Sequence, residues 1–307
     1  MRRFLGKLGG FFAVQGVLAA LLAVSILRLP PSQDYLAASV RKHERLDRLP
    51  SPRIVFVGGS ATAFGIDSPR IQQALARPVV NMGLYQPLGL DFILSEVEDA
   101  LRPGDVVIVS PEYSMLFAPS STDPLRQVVE KNPRAIRWLP PVLARQIIDQ
   151  LHKPLGALVR RAIRESILGR EQGPDAYPPY SLDSFNEEGD VVAHHRMPAS
   201  AVSPRCTLGP PDQPAFRERL ERLNRFHRKC VSRGITDYYS YPAAMRESVQ
   251  TQRALFDSVI GELERRLEMP RLHGAEEMLF PAALFFDSPE HLRLEGKVRR
   301  TDLLLQA

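Results

Sequence analysis

The distribution of apolar residues after residue 50 is typical of an α/β domain. Apolar residues follow one another without alternation in "RIVFVGG" (53–59), and similar runs occur in "PVVNMGLY" (78–85) and "PGDVVIVSPEY" (103–113). Continuous apolar runs that end at glycine or proline indicate strands buried on both faces of a parallel sheet. Segments with helical spacing separate these runs, so the sequence predicts a parallel sheet flanked by helices with right-handed crossovers.

The helical segments of the domain have recognisable ends. They span residues 68–76, 88–101, 215–234 and 243–268, and a closing helix follows residue 291. Ser68 is placed as an N-cap with Pro69 at the first helical position, and Gly234 ends the third of these helices. The segment "ITDYYSYP" (235–242) is a further strand candidate.

The N-terminus is predicted to lie in a membrane. Three basic residues in "MRRFLGK" (1–7) precede "LGGFFAVQGVLAALLAVSIL" (8–27), and a run of about 20 apolar residues matches the hydrocarbon core. A cleaved signal peptide is the alternative, because Ala23-Val24-Ser25 resembles a processing site. We expect a single pass through the inner (cytoplasmic) membrane, with the remaining chain extracytoplasmic, which means periplasmic in a Gram-negative bacterium.

The chain therefore divides into an anchor, a stalk helix and one α/β domain with an insertion. The predicted ranges are 1–30, 31–52 and 53–307, with the insertion at about 120–214. Residues 123–168 are helical and basic, and they either pack on the domain or lie at the membrane interface. Residues 169–214 are rich in Pro, Gly and Ser and are predicted to form long loops.

The charge of the chain bears on its binding partner, and its cysteines bear on a possible disulfide. The net charge is +5 and the pI is near 9.3, but no aromatic-interleaved basic motif accompanies it, so the partner is predicted to be a membrane rather than nucleic acid. Trp138 and the Arg-rich stretch 159–170 fit either an anionic surface or a solvated helix face. Cys206 and Cys230 are the only cysteines, and the sequence leaves their pairing open.

Ser60 is the first candidate for chemistry. The surrounding "GGSAT" lacks the closing glycine of a hydrolase elbow, and no lysine follows Gly65 as a phosphate loop requires. Ser60 comes directly after the first strand, at the edge of the sheet where open α/β folds bind ligands. A turn or cap serine is the structural alternative.

Four segments resemble the SGNH or GDSL superfamily of serine hydrolases, and especially its membrane-anchored bacterial branch. They are "GGSATAFGID" (58–67), "VVNMGLY" (79–85), "GDVVIVSPEY" (104–113) and "FFDSPEHLRLEG" (285–296). The resemblance implies a three-layer, flavodoxin-like sheet. It implies that Ser60 is the nucleophile, His291 the base and Asp287 the acid that orients the base.

The resemblance also implies an oxyanion site, with two departures from the family pattern. Its donors would be the backbone N–H groups of Ala61 and Gly83, with Asn81 as a nearby amide. The third block has Glu112 where the family has an asparagine, and an ionised carboxylate cannot donate. We expect Glu112 to order the site or to contact a substrate hydroxyl. Asp287 stands four residues before the histidine instead of three, which leaves a triad and a Ser–His dyad both open.

These assignments predict acyl transfer from an ester to water or to a sugar hydroxyl. The resemblance implies an esterase or O-acyltransferase that acts on cell-envelope or exported polysaccharide beside a multispanning membrane acyltransferase, with acetyl as the favoured acyl group. A noncatalytic accessory protein with the same fold is the alternative. No cofactor and no metal are expected. The pair His194-His195 is predicted to lie in a solvated turn, and the remaining histidines outside the catalytic loop are predicted to be surface residues: His43, His152, His227 and His273.

Overall fold

A parallel sheet forms the centre of the computed structural model. The structure describes residues 33–150, 179–200, 202–204 and 208–307, with isolated positions within 10–24 and 156–163. The strands of the sheet are Ile54–Gly58 (β1), Val79–Asn81 (β2), Val106–Ser110 (β3) and Thr236–Tyr239 (β4), in the order β2-β1-β3-β4. All three pairings are parallel. The prediction of an α/β fold with a parallel sheet is confirmed.

Helices cover both faces of this sheet. They are Ala38–Arg48 (α1), Ser60–Gly65 (α2), Ser68–Leu75 (α3), Gly89–Glu98 (α4), Thr122–Lys131 (α5), Pro141–Gln150 (α6), Pro214–Ser232 (α7), Arg246–Gln250 (α8), Arg253–Arg266 (α9) and Leu294–Gln306 (α10). Alternate residues of β1 enter two cores: Val55 and Val57 pack into the larger one, whereas Ile54 and Phe56 pack with α3 and α10. This division explains why β1 carries apolar residues at successive positions.

Short elements complete the described parts of the chain. Ala244–Met245 (β5) and Leu279–Phe280 (β6) form a separate parallel pair. The 3₁₀ helices span Tyr35–Ala37, Gln86–Leu88, Tyr113–Leu116, Pro133–Trp138, Leu182–Ser184, Ala193–Arg196, Ala275–Met278 and Ala282–Leu284.

Two local predictions are wrong. Residues 243–268 are not one helix, because Ala244 and Met245 are taken into the strand pair with β6 and two helices follow. The N-cap of α3 is Asp67, whose side chain accepts from the N–H of Arg70. Ser68 cannot serve as the cap because its Oγ donates to the buried carboxylate of Asp190 at 2.6 Å.

Helix α1, in the segment assigned to a stalk, packs against the edge strand β2. The ammonium group of Lys42 donates to Asn81 O at 2.8 Å, and Arg45 Nε donates to Val79 O at 3.0 Å. Leu46 is fully buried. In the described chain, α1 is thus part of the domain's packing.

The insertion contributes buried residues as well as loops. Trp138 is 8% exposed and its ring stacks on the buried His43, with the ring centroids 4.2 Å apart. Trp138 is thus not on a solvated helix face, and the surface position predicted for His43 is wrong, because the two stacked rings exclude water from each other. Most of the stretch 159–170 lies outside the described residues.

Most of the predicted anchor and one of the two cysteines lie outside the described residues. Within the part of the chain that the structure describes, no helix has the length and apolar character needed to cross a membrane. Most of residues 1–30 lie outside that part, so the anchor remains a prediction. Cys206 also lies outside it, while Cys230 is a buried free thiol whose pKa burial raises to about 12.

Candidate active site

The turn after β1 places Ser60 at the carboxyl edge of the sheet. Strand β1 ends at Gly58, and Ser60 is the first residue of α2. In the strand order, β1 has β2 on one side and β3 on the other, so Ser60 stands where successive crossovers diverge, a position that favours ligand binding in open α/β sheets. A Cβ atom on Gly58 would lie 2.4 Å from Ser110 O, so only glycine fits at the end of the strand.

Ser60 and His291 meet from opposite ends of the chain. Ser60 Oγ lies 2.9 Å from His291 Nε2, and His291 Nδ1 lies 2.7 Å from Asp287 Oδ1. The carboxylate favours a proton on Nδ1, which leaves Nε2 free to accept the hydroxyl proton of Ser60. The spacing of four residues therefore brings Asp287 into contact with the imidazole, in the geometry of a triad rather than a dyad.

Several contacts hold the loop that carries Asp287 and His291 before α10. The ring of Phe64 lies parallel to the imidazole of His291, with the centroids 4.0 Å apart. The backbone of His291 is fixed from both sides, since its N–H donates to Ser288 Oγ at 3.1 Å and its carbonyl accepts from the N–H of Phe286 at 2.8 Å. The histidine is thereby oriented by its own loop as well as by the carboxylate.

Tyr180, from the insertion, completes the contacts of the acid. Its hydroxyl donates to Asp287 Oδ2 and lies 3.3 Å from His291 Nδ1. Burial acts to raise the pKa of Asp287, but the hydrogen bonds from His291 and Tyr180 outweigh it and hold the pKa below its ordinary value. Burial and the same carboxylate raise the pKa of Tyr180, so the phenol remains a donor. Sequence reasoning missed Tyr180 because it lies in a proline-rich loop with no motif around it.

The expected oxyanion donors are engaged within the protein. The N–H of Ala61 donates to Glu112 Oε1 at 2.8 Å, and the N–H of Gly83 donates to Asn81 Oδ1 at 2.9 Å. Asn81 Nδ2 donates to Thr62 O at 3.1 Å and to Asp190 at 2.8 Å. The expectation that these three groups face the substrate is not met in this geometry, because buried carboxylates and amides within reach already accept their protons.

Glu112 orders the turn that carries Ser60. Its carboxyl is fully buried and accepts from the N–H of Gly59 at 3.0 Å as well as from Ala61. A group this deeply buried is not placed to contact a substrate hydroxyl. Of the two roles expected for Glu112, ordering the site is the one that fits. Burial raises the pKa of Glu112, while hydrogen bonds from Ala61 and Gly59 and the charge of His291 act in the opposite direction.

A cavity of about 460 Å³ lies over Ser60 and His291. Its other walls are formed by Asp34, Tyr35, Leu36, Tyr85, Gln127 and Tyr180. The volume lies within the range of small-molecule sites. Gln127 on α5 and Tyr180 belong to the predicted insertion, so residues of that segment shape the pocket.

His194 packs beneath the catalytic loop. It is buried against Phe64 and Phe286, and its Nε2 lies 3.0 Å from Leu292 O. The predicted solvated turn is therefore wrong for His194, because the aromatic rings of the domain exclude water there. Burial lowers the pKa of His194 to about 3 and that of His195 to about 4, so both imidazoles are neutral. Among the described residues, no group of three or more His, Cys, Asp or Glu could hold a metal ion.

Comparison with known proteins assigns no family to the chain. No model of a known family matches the chain, and no curated protein sequence matches it at a significant level.

Proposed function

We propose that the protein is a serine esterase or O-acyltransferase with Ser60 as its nucleophile. The observation that carries this proposal is the alignment of Ser60 Oγ, His291 and Asp287 at 2.9 Å and 2.7 Å within one cavity. A serine hydroxyl is weakly nucleophilic until an adjacent base accepts its proton, and the alignment supplies that base together with a group that orients it.

The reaction follows from these contacts. As Ser60 Oγ attacks an ester carbonyl, His291 Nε2 takes its proton, and Asp287 stabilises the imidazolium. His291 then gives the proton to the leaving alcohol oxygen as the C–O bond breaks, which leaves an acyl group on Ser60. Attack by water on this acyl-enzyme gives hydrolysis, whereas attack by a sugar hydroxyl gives transfer.

The substrate and location in this proposal rest on the resemblance. They are an acetyl ester of an envelope or exported polysaccharide, handled at a membrane beside a multispanning acyltransferase. The apolar side chains of the run 8–27, with a basic flank before them, are the sequence feature that supports an anchor there. Such side chains are costly in water and favourable in lipid.

The test is hydrolysis of p-nitrophenyl acetate and of acetylated oligosaccharides by the wild type and by Ser60→Ala. We expect activity in the wild type and almost none in the variant. Ser248→Ala is the matched control, because Ser248 is a buried serine in α8, away from the cavity. Equal activity of wild type and Ser60→Ala would refute the proposal.

A noncatalytic accessory protein is the second candidate. The observation that favours it is the engagement of the Ala61 and Gly83 N–H groups, since an acyl-transfer site needs donors directed at the oxyanion. Binding of acetylated polysaccharide without any turnover, and equal binding by Ser60→Ala, would support this candidate over the enzyme.

A further inference from the structure

Two buried, oppositely charged side chains hold the peptide groups next to Ser60. The N–H of Ala61 donates to Glu112 Oε1 at 2.8 Å, and the carbonyl of Ala61 accepts from Arg300 Nη1 at 3.0 Å. Glu112 and Arg300 are both fully buried. Both peptide groups of the residue after Ser60 are thus held by hydrogen bonds to buried ionisable side chains.

Glu112 and Arg300 also form hydrogen bonds on the other side of Ser60 and at the end of β3. The second oxygen of Glu112 accepts from the N–H of Gly59 at 3.0 Å, and Arg300 Nη2 donates to Ser110 Oγ at 2.7 Å. A Cβ atom on Gly59 would lie 2.4 Å from Glu112 Oε1, so glycine at this position leaves room for the carboxyl. We call these two residues and their contacts the Glu112–Arg300 clamp.

We propose that Glu112 and Arg300 are positioning residues that aim Ser60 Oγ at His291, an inference that rests on the proposed function. Ser60 lies between the two N–H groups that Glu112 accepts, so the direction of its side chain depends on these peptide planes. Catalysis by a serine–histidine pair is sensitive to this direction, since a misplacement of about 1 Å costs on the order of 100-fold in rate. The clamp gives the carboxyl after β3 a role other than donation to an oxyanion.

A second buried pair, at the opposite end of β3, supplies a matched control. Asp105 and Arg53 form a fully buried ion pair before β3, with Arg53 Nε 3.2 Å from Asp105 Oδ2. Asp105 also accepts a backbone N–H, that of Arg102, at 3.0 Å. This pair resembles the clamp in burial and hydrogen bonding, but it lies at the end of the strand remote from Ser60.

The experiment compares Glu112→Gln and Arg300→Gln with Asp105→Asn and Arg53→Gln in the full-length protein. A glutamine offers only one acceptor oxygen to two N–H groups, so one of them loses its partner. We expect all four variants to lower Tm. Only the clamp variants should lower kcat, by about 100-fold with KM unchanged, and slow labelling of Ser60 by a fluorophosphonate to the same degree.

Wild-type kcat in Glu112→Gln would overturn the clamp, and so would an equal loss of kcat in Asp105→Asn. If Glu112→Gln does not fold, Glu112→Asp and Arg300→Lys are used instead. Aspartate keeps the carboxyl group on a shorter side chain, and lysine keeps the positive charge but has a single nitrogen donor group.

Failure of the proposed function is distinguishable. A wild-type protein that neither turns over ester nor takes the label refutes the function, and crystal structures of the variants then decide the clamp alone. The clamp predicts that the Ser60 Oγ to His291 Nε2 distance, 2.9 Å in the wild type, leaves hydrogen-bond range in Glu112→Gln and is retained in Asp105→Asn. Retention of that distance in Glu112→Gln contradicts the clamp.

Discussion

Ser60 and His291 are separated by most of the chain. Replacements of the two residues can have coupled effects on activity only because both side chains lie in one site. Their hydroxyl and imidazole are 2.9 Å apart. The resemblance between short motifs was enough to name both residues together with Asp287. It could not name Tyr180, whose contact with Asp287 depends on where a loop without a motif folds back.

If Ser60 and His291 act as proposed, replacement of either residue affects the same step. We expect Ser60→Ala and His291→Ala each to lower kcat/KM for an acetyl ester by several orders of magnitude, and the double variant to be scarcely slower than either. A nucleophile without its base and a base without its nucleophile fail equally. Kinetics on the three folded variants check this, and losses that simply multiply would contradict a shared mechanism.

Tyr180→Phe removes one hydrogen bond from the acid and leaves the imidazole contact in place. A hydrogen bond to a charged group contributes about 1.5 kcal/mol, so kcat should fall roughly tenfold. Tyr85→Phe is the control, because Tyr85 lines the same cavity without contacting Asp287. The account of Tyr180 fails if its variant keeps wild-type kcat, or if both variants lose kcat equally.

The carboxyl of Glu290 should make stability depend on pH. Burial, and the charge of Glu112 beside it, raise its pKa from 4.5 to about 8. A raised folded-state pKa means that the folded protein holds the proton more tightly than the unfolded chain, so stability is lost as pH rises through this window.

The side chain in Glu290→Gln stays neutral throughout this pH window. The Tm of the variant minus the Tm of the wild type should therefore be larger at about pH 9 than at about pH 5. Thermal unfolding at both pH values measures this. Glu295→Gln, at an exposed residue paired with Arg299, is the control. An identical difference in Tm at the two pH values would show that Glu290 titrates normally.

At the scale of elements, strands buried on both faces were the most predictable feature. Continuous apolar runs located β1, β2 and β3, because a strand covered on both faces needs no polar positions. Shorter elements were not predictable: β5 exists only because residues 279–280 lie beside it, and its sequence has helical spacing. Likewise, the burial of His194 depends on rings from distant segments.

Gly83 sets how closely the loop after β2 approaches the nucleophile turn. A Cβ atom there would lie 2.7 Å from Ala63 N and 2.8 Å from Gly59 O, and these backbone atoms can yield only by moving the turn. We expect Gly83→Ala to lower stability by about 1–3 kcal/mol and to abolish fluorophosphonate labelling.

Gly261→Ala is the opposite case, since nothing lies within 4 Å of the added atom in helix α9. It should stabilise the protein by up to about 1 kcal/mol and leave labelling unchanged. Thermal unfolding and labelling of both variants check the pair of expectations, and a Gly83→Ala protein with wild-type labelling would contradict the close approach.

In the molecule as a whole, α1 belongs to the domain, and residues 1–30 are predicted to form a membrane anchor. Lys42 and Arg45 bond to the backbone of β2, and Arg53 Nη1 donates to Leu49 O at 3.1 Å. A chain that begins at residue 31 should therefore unfold cooperatively. One that begins at residue 53 should be markedly less stable, and equal Tm values would refute the role of α1.

The predicted anchor gives a separate expectation. Because residues 8–27 are apolar with a basic flank, the full chain should fractionate with membranes and resist extraction by carbonate. Protease added to spheroplasts should digest the domain. Recovery of a soluble chain that begins after Ser25 would support the signal-peptide alternative, and protection from protease would reverse the topology.

The central claim is that Ser60 is an activated nucleophile, and covalent labelling tests it without knowledge of the substrate. The full-length protein is treated with a fluorophosphonate and the modified residue is mapped by peptide mass spectrometry. We expect stoichiometric label on Ser60 that is lost in His291→Ala, because the imidazole must take the hydroxyl proton. An unlabelled wild type, or a label on Ser60 that survives in His291→Ala, would contradict it.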